Sequence, residues 1–248
     1  NMNAKKLSFL LLILVAVACT NRSTSSEQDE MRHWNNVLQQ INALLLENKA
    51  QQTLDLAKQT LPEILESAEK NGTTDTLIYY ARKIFNACGN NYINTKQYKD
   101  GIDYMDSIGN HPLIREHCPH ELLSFKAGLN QLYGNNPEAV RLAEDYLQLP
   151  VCTSANDFIR QAEIISGVYM YSGNNLPKAI QILEKAIDVY RKGGNFPNML
   201  RIMSRLGIYY HLSGEYEKAI ATNQEAIATY NAVSYTHLRA HETLSDLV

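Results

Sequence analysis

The apolar residues of this chain follow a helical period over most of its length, and the pattern is itself repeated. Between residues 31 and 232, apolar side chains recur at intervals of three and four positions, which is typical of amphipathic helices. Four small or aromatic residues also recur at one offset of 40 positions: Gly167, Ala179, Ala186 and Tyr190 return as Gly207, Ala219, Ala226 and Tyr230. Gly128 with Ala139, and more weakly Gly89 with Gly101, form earlier copies. The matches predict a tandem structural repeat.

Each repeat is predicted to be a helix, a tight turn and a second helix. In the last repeat the turn is Ser213-Gly214-Glu215-Tyr216. Small residues at Gly207, Ala219 and Ala226 indicate that the paired helices cross closely, because larger side chains would push them apart. The residues expected to fill the space beside these crossings are Tyr209 or Tyr210, and Tyr216.

This spacing resembles the tetratricopeptide-repeat (TPR) consensus. With Gly207 at the consensus glycine, the matching residues are Leu206, Tyr210, Gly214, Ala219 and Ala226. Asn223 departs from the aromatic residue of the consensus, and Met203 replaces its Trp. The resemblance covers residues 75–232, and periodicity predicts one more helical hairpin at residues 31–74. It implies an all-α fold, a TPR-like superhelix (α-solenoid) of about five helical hairpins.

The amino terminus has the pattern of a bacterial lipoprotein signal over residues 1–18. Lys5-Lys6 is a short basic start, and the apolar run from Leu7 to Ala18 is too short for a comfortable membrane span. Residues 16–19 (AVAC) resemble a lipobox, in which Cys19 is lipidated; the alternative is a plain secretory signal with an incidental Cys. Residues 19–30 are polar and are expected to form a flexible tether. The resemblance implies a membrane-anchored lipoprotein that faces the periplasm.

The carboxyl terminus carries a segment of unusual sequence. Residues 233–243 (VSYTHLRAHET) resemble the translation of a transposase adapter used in sequencing libraries. We therefore expect residues 233–248 to be a non-native tail, the alternative being a natural tail that matches by chance. The helical pattern is predicted to stop at about Ala232. The native sequence after this residue, with any output domain, then lies outside the chain.

Composition and motifs give no sign of catalysis. The 248 residues are 45% hydrophobic and 20% charged with a net charge of −3, which gives no electrostatic reason to expect a nucleic-acid partner. The chain contains neither a phosphate-binding GxxxxGK[ST] loop nor a GxSxG motif. His120-Glu121 begins like the HExxH zinc motif, but Ser124 stands where the second His is needed. We expect no enzyme activity, no cofactor and no metal.

One connector concentrates residues that can bind metals. His111, His117, Cys118 and His120 lie within ten positions, flanked by Pro112 and Pro119. Their spacing matches no closed zinc site, so a solvated loop between hairpins is favoured. Cys88 is expected to be a free buried thiol. A Cys118–Cys152 disulfide is an alternative that the sequence leaves undecided.

The TPR resemblance implies a concave groove for a protein or peptide partner, lined by the first helix of each repeat. It should be polar at both ends and apolar in the middle, where Leu129 and Val168 project. The positions carried over as groove residues are Lys83, Asn86, Asn90, Phe125, Gln161, Tyr171, Arg201, Ser204 and His211.

Two classes of function fit this groove. One is a lipid-anchored, non-catalytic scaffold, which resembles TPR lipoproteins of Bacteroides-type bacteria. The other is the sensor region of a truncated TPR-containing histidine kinase or helix-turn-helix regulator, with its output domain beyond Ala232. A carbohydrate-capture lipoprotein is disfavoured because such proteins need exposed Trp, and the chain has only Trp34.

Overall fold

The computed structural model describes residues 28–150, 155–193 and 196–245, which contain helices and turns and no strand. The first helix, α1, covers residues 28–46. The others are α2 (Ala50–Asn71), α3 (Asp75–Asn94), α4 (Tyr98–Ile108), α5 (Pro112–His117), α6 (Pro119–Tyr133), α7 (Asn136–Gln148), α8 (Ala155–Tyr171), α9 (Leu176–Gly193), α10 (Phe196–Leu212) and α11 (Tyr216–Ser245). The all-α prediction is confirmed.

Four of the described hairpins are closed by the same type of turn. Asn48, Lys96, Gly134 and Gly214 have positive φ angles of 55°, 59°, 95° and 81°. After each of them, the next N–H donates to the carbonyl five residues earlier, with N···O distances of 2.8–3.1 Å. This bond satisfies a carbonyl at the helix end and reverses the chain. The α8–α9 turn is longer and places Asn174 at a φ of 43°.

The chain divides into two compact units between Asn91 and Tyr92, inside α3. The first contains α1, α2 and most of α3. Its core includes Trp34, whose ring centroid lies 5.7 Å from that of Tyr80. The sequence predicts that the repeats begin at residue 75, which is the first residue of α3. The boundary between the two compact units lies further along the same helix.

In the second unit, successive hairpins pack side by side. The first helices α6, α8 and α10 each pack against their own second helices α7, α9 and α11. In addition, α4 contacts α6, α6 contacts α8, and α9 contacts α10. A continuous apolar core runs through these helices, and the alanines at its centre are fully buried: Ala139, Ala143, Ala179 and Ala186. Each hairpin therefore buries its apolar surface against the next one.

Small residues let these helices approach closely. A β-carbon added to Gly128 would lie 2.7 Å from Cγ2 of Ile164 on the neighbouring hairpin. On Gly207 it would lie 2.5 Å from Oδ1 of Asn223, so the consensus departure at Asn223 supplies the contact within its hairpin. Ala219 is buried as well. The close crossing predicted at these residues is confirmed.

Three local predictions need correction. Tyr209 and Tyr210 are buried, but Tyr216 is 59% exposed because it begins α11 outside the crossing. The connector around Pro112 is partly helical, since this residue occupies the first turn of α5. The helix does not stop at Ala232, because α11 continues to Ser245. The origin of residues 233–248 stays a prediction.

The substitution Ala219→Leu should destabilise the second unit. The buried methyl group leaves no room for three further carbons, and overpacking costs about 1–3 kcal/mol. We expect the melting temperature in a circular dichroism scan to fall by several degrees. Ala221→Leu is the matched control, because Ala221 is exposed on the same helix and should change stability by less than about 0.5 kcal/mol. Equal melting temperatures for both variants would contradict the packing at α10–α11.

Candidate functional site

The structure separates the predicted groove residues into three groups. Lys83, Asn86 and Asn90 are half-buried on α3, in the first compact unit. In the second unit, four predicted residues are exposed on α8 and α10, and their role stays a prediction: Tyr171, Arg201, Ser204 and His211. Phe125 and Gln161 are buried, so their assignment to an open groove is wrong.

The two buried residues have structural contacts instead. Phe125 belongs to the core, with 1% of its surface exposed. The side chain of Gln161 accepts a hydrogen bond of 3.1 Å at Oε1 from the hydroxyl of Tyr146, which ties α8 to α7. Leu129 and Val168, expected in the apolar middle of the groove, are also fully buried. The open surface of the middle hairpins must therefore be formed by other side chains.

A polar slot lies where α6, α8 and α10 run side by side. Its floor is Gly167 of α8, at which an added β-carbon would lie 3.8 Å from Oε1 of Gln131 and 4.0 Å from Nη1 of Arg205. These are ordinary van der Waals distances at a buried residue, in contrast to the tighter contacts of Gly128 and Gly207. We call the surface formed by Gln131, Glu163, Gly167, Arg201 and Arg205 the Gly167 slot.

Glu163 organises the two arginines of this slot. Its carboxylate is buried, and Oε1 lies 2.8 Å from Nε of Arg201. Its backbone carbonyl accepts hydrogen bonds of 3.1 Å from Nη1 of Arg205 and from the hydroxyl of Ser166. The Arg201 side chain is 51% exposed. The buried acid therefore holds a guanidinium group that still faces solvent.

Two tyrosines extend the slot along α8 and α10. Burial raises the pKa of the Tyr209 phenol, and the nearby charge of Arg205 lowers it in part. Tyr171, at the end of α8, is exposed. The charged side chains of the slot are one glutamate and two arginines, so its formal charge is net positive.

Three slot residues were missed in the sequence. Gln131, Glu163 and Arg205 fall outside the helix positions projected from the TPR consensus. One signal was present: Glu163 interrupts an apolar stretch, Ala162 to Ile165, and a charged residue inside a buried helix needs a partner. The middle of the surface thus contains a polar slot, and apart from the buried Phe125, Leu129 and Val168 the expectation of an apolar middle stays a prediction.

The His/Cys connector is a structural element. His111 caps α5, with Nδ1 accepting a 3.2 Å hydrogen bond from the N–H of Leu113. A ring nitrogen of His120, Nε2, lies 2.7 Å from the carbonyl oxygen of Pro150. Cys118 is fully buried rather than solvated, because α5 carries it into the core with Leu113. Among the described residues, no group of three His, Cys, Asp or Glu side chains is placed to hold a metal ion.

The cysteine predictions have mixed outcomes. Cys88 is a buried thiol outside any disulfide, as expected. Cys118 is also a buried thiol outside any disulfide, which does not support the Cys118–Cys152 alternative. Cys19 and Cys152 lie outside the described residues. Within the described part of the chain, no helix combines the length and hydropathy that a membrane span requires.

Comparison with known proteins identifies the architecture. Residues 162–232 match the family model of the tetratricopeptide repeat. TPR-like repeats of a kinesin light chain protein from Podosopora anserina have a TM-score of 0.51 at 12% identity, covering 82% of this chain and 97% of that chain. The fold is TPR-like. MamA from Desulfovibrio magneticus RS-1 is similar at a TM-score of 0.47 and 14% identity, covering 82% of this chain and 97% of that one. No curated protein sequence matches the chain.

The Glu163–Arg201 ion pair should stabilise the TPR hairpins, and the effect of replacing one residue should depend on whether the other is present. Arg201→Ala leaves a buried carboxylate without its cation, and we expect a loss of about 1.5–3 kcal/mol in the free energy of unfolding. Adding Glu163→Gln should recover part of this loss, because a neutral amide needs no cation. Urea unfolding of the two single variants and the double variant measures the coupling.

Arg115→Ala is the matched control for this cycle. Arg115 pairs with Glu116 on the surface of α5, where both side chains are about 60% exposed. Its removal should change stability by less than about 0.5 kcal/mol. Strict additivity of Arg201→Ala and Glu163→Gln would show that the two residues do not interact.

Proposed function

We propose that this chain is a non-catalytic TPR scaffold that binds an extended peptide segment of a protein partner in the Gly167 slot. The observation that carries the proposal is the half-exposed guanidinium of Arg201, which the buried carboxylate of Glu163 holds in the slot, bordered by the amide of Gln131 and the guanidinium of Arg205. An extended backbone has carbonyl and N–H groups that can bond to such a border.

The charge of the slot favours an acidic peptide. Arg201 and Arg205 stand on one face of α10, four residues apart, and Glu163 fixes both through its carboxylate and carbonyl. A guanidinium that is already positioned loses little conformational entropy when it binds a carboxylate. Charge-assisted hydrogen bonds of this kind are about twice as strong as neutral ones. We therefore propose a partner segment with an Asp, a Glu or a free carboxyl terminus.

The amino-terminal sequence supports a lipid anchor for the same scaffold. Residues 1–18 have the order of a bacterial export signal, and the lipobox-like segment ends at Cys19. Several acyl chains on one residue give stable membrane attachment, at about 0.8 kcal/mol for each buried CH₂. The polar residues up to 30 would then hold the repeats away from the membrane surface, on the periplasmic side.

Filling the slot should abolish peptide binding without unfolding the repeats. Gly167→Leu places a branched side chain against the ends of Gln131 and Arg205, which lie 3.8 Å and 4.0 Å from an added β-carbon and would have to move aside. Leu also favours a helix over Gly by about 0.5–1 kcal/mol. The probe is a set of peptides selected from a random library against the full chain. We expect acidic sequences to be enriched, and their affinity in fluorescence polarisation to fall at least tenfold in Gly167→Leu.

Arg205→Ala tests the charge separately. It should weaken the acidic peptides about tenfold or more, because one charge-assisted hydrogen bond contributes about 1.5–3 kcal/mol. Arg115→Ala serves as the control on a remote surface and should leave affinity unchanged. Selected peptides that bind both Gly167→Leu and Arg205→Ala as tightly as the unaltered chain would refute the slot.

Replacing Cys19 should release the protein from the membrane. In Cys19→Ser the acceptor thiol is absent, so we expect loss of acyl-chain labelling and transfer to the soluble fraction after cell lysis. Cys118→Ala is the control, because it removes a different cysteine and keeps the lipobox. Continued membrane association of unacylated Cys19→Ser would count against the anchor.

A further inference from the structure

The second helix of the last described hairpin carries an exposed apolar row. Tyr216, Ile220, Ile227 and Tyr230 of α11 are between 57% and 61% exposed. Their spacing of four, seven and three residues places them along one side of the helix, next to the side that packs on α10. Asn223 lies in the gap of this row and is also exposed. We call these five residues the α11 face.

The preceding hairpin shows how the same side of a second helix is packed in this fold. The equivalent positions of α9, 40 residues earlier, include Ile180, Leu183 and Ile187, which are buried. The helix α10 packs against α9, and Met203, Leu206 and Ile187 belong to the same buried core. Consecutive packed helices joined by two residues run antiparallel. The internal repeat therefore provides a template, in which this face of a second helix is covered by an antiparallel helix.

We propose that the α11 face pairs with the α11 face of a second copy of this chain, with the two helices antiparallel. The order of residues along the row supports this occupant, because it reads Tyr, Ile, Asn, Ile, Tyr in both directions. An antiparallel pair then brings Tyr216 against Tyr230 of the other copy and Ile220 against Ile227. The backbone position of residue 223 lies at the two-fold axis, with the Asn223 side chain turned toward Gly207 of its own hairpin. A two-fold interface requires this reciprocity, in which residue i contacts j and j contacts i.

The charges of α11 are compatible with self-association. Up to residue 232 the helix has three charged residues, Glu217, Lys218 and Glu225. Nζ of Lys218 lies 2.5 Å from the carboxylate of Glu215, and Glu225 lies 2.5 Å from Nη2 of Arg191. Glu217 would stand opposite Thr229 of the other copy, so no like charges meet.

The mass of the chain in solution tests this proposal independently of the Gly167 slot. The sample is the full chain with Cys19→Ser, so that no acyl group can drive association. We expect its weight-average mass in sedimentation equilibrium to rise with concentration to twice the monomer value. Ile220→Asp with Ile227→Asp should remain monomeric at every concentration, with an unchanged melting temperature because both positions are exposed. A monomeric Cys19→Ser chain at all concentrations overturns the proposal.

The matched control carries the same two charges on the opposite side of the helix. Ala221→Asp with Ala228→Asp alters exposed positions of α11 outside the apolar row and should dimerise like the unaltered chain. Loss of the dimer in this control, or its persistence in the Ile variant, overturns the interface.

Cysteine cross-linking tests the orientation. Asn223→Cys lies at the proposed two-fold axis, so two copies should form a disulfide-linked dimer under mild oxidation, above the level of the chain with its native cysteines. Ile227→Cys should not, because it faces Ile220 and lies about 10 Å along the axis from its own copy, at 1.5 Å per residue. Efficient linkage through Ile227→Cys but not Asn223→Cys indicates a parallel or shifted pair and overturns the antiparallel arrangement.

Discussion

The close packing of helix against helix at small residues is the contact on which the second unit depends. At Gly128 and Gly207 a β-carbon would come within 2.7 Å of a side chain of the neighbouring helix, and alanines occupy the centre of the core. The short separation lets a hairpin of modest length bury its apolar side on both neighbours. Since no hairpin can do this alone, stability comes from the interfaces between repeats as much as from each repeat.

The same packing explains why a polar slot exists in an otherwise apolar stack. When α6, α8 and α10 lie side by side, side chains from three hairpins reach the same point, above Gly167. A buried carboxylate is costly unless it is paired, and Glu163 is paired by a residue that the repeat places one hairpin away. The slot is therefore a property of the stacked unit, and an isolated hairpin would not have it.

The sequence allowed the architecture to be predicted more fully than the site. The 40-residue recurrence and its small residues led to helical hairpins with close crossings, because helix formation and steric exclusion depend on local sequence. The groove residues were predicted from their positions in the TPR consensus helix. This prediction was wrong for Phe125 and Gln161, because the exposed side of a middle helix depends on how both neighbouring helices rotate against it. Lys96 shows a similar limit: its positive φ follows from the turn and is not suggested by its residue type.

The recurring turn has a consequence for how the chain folds. Four turns bond the same backbone atoms although their central residues are Asn, Lys and Gly, and the turns at Gly134 and Gly214 join helices that contact each other directly. Most contacts of a hairpin therefore connect residues that are close in sequence. Chains with such local contacts fold rapidly, since little loop entropy is lost before the first contacts form. Each hairpin could then begin to form as soon as its second helix has been synthesised, before the next hairpin exists.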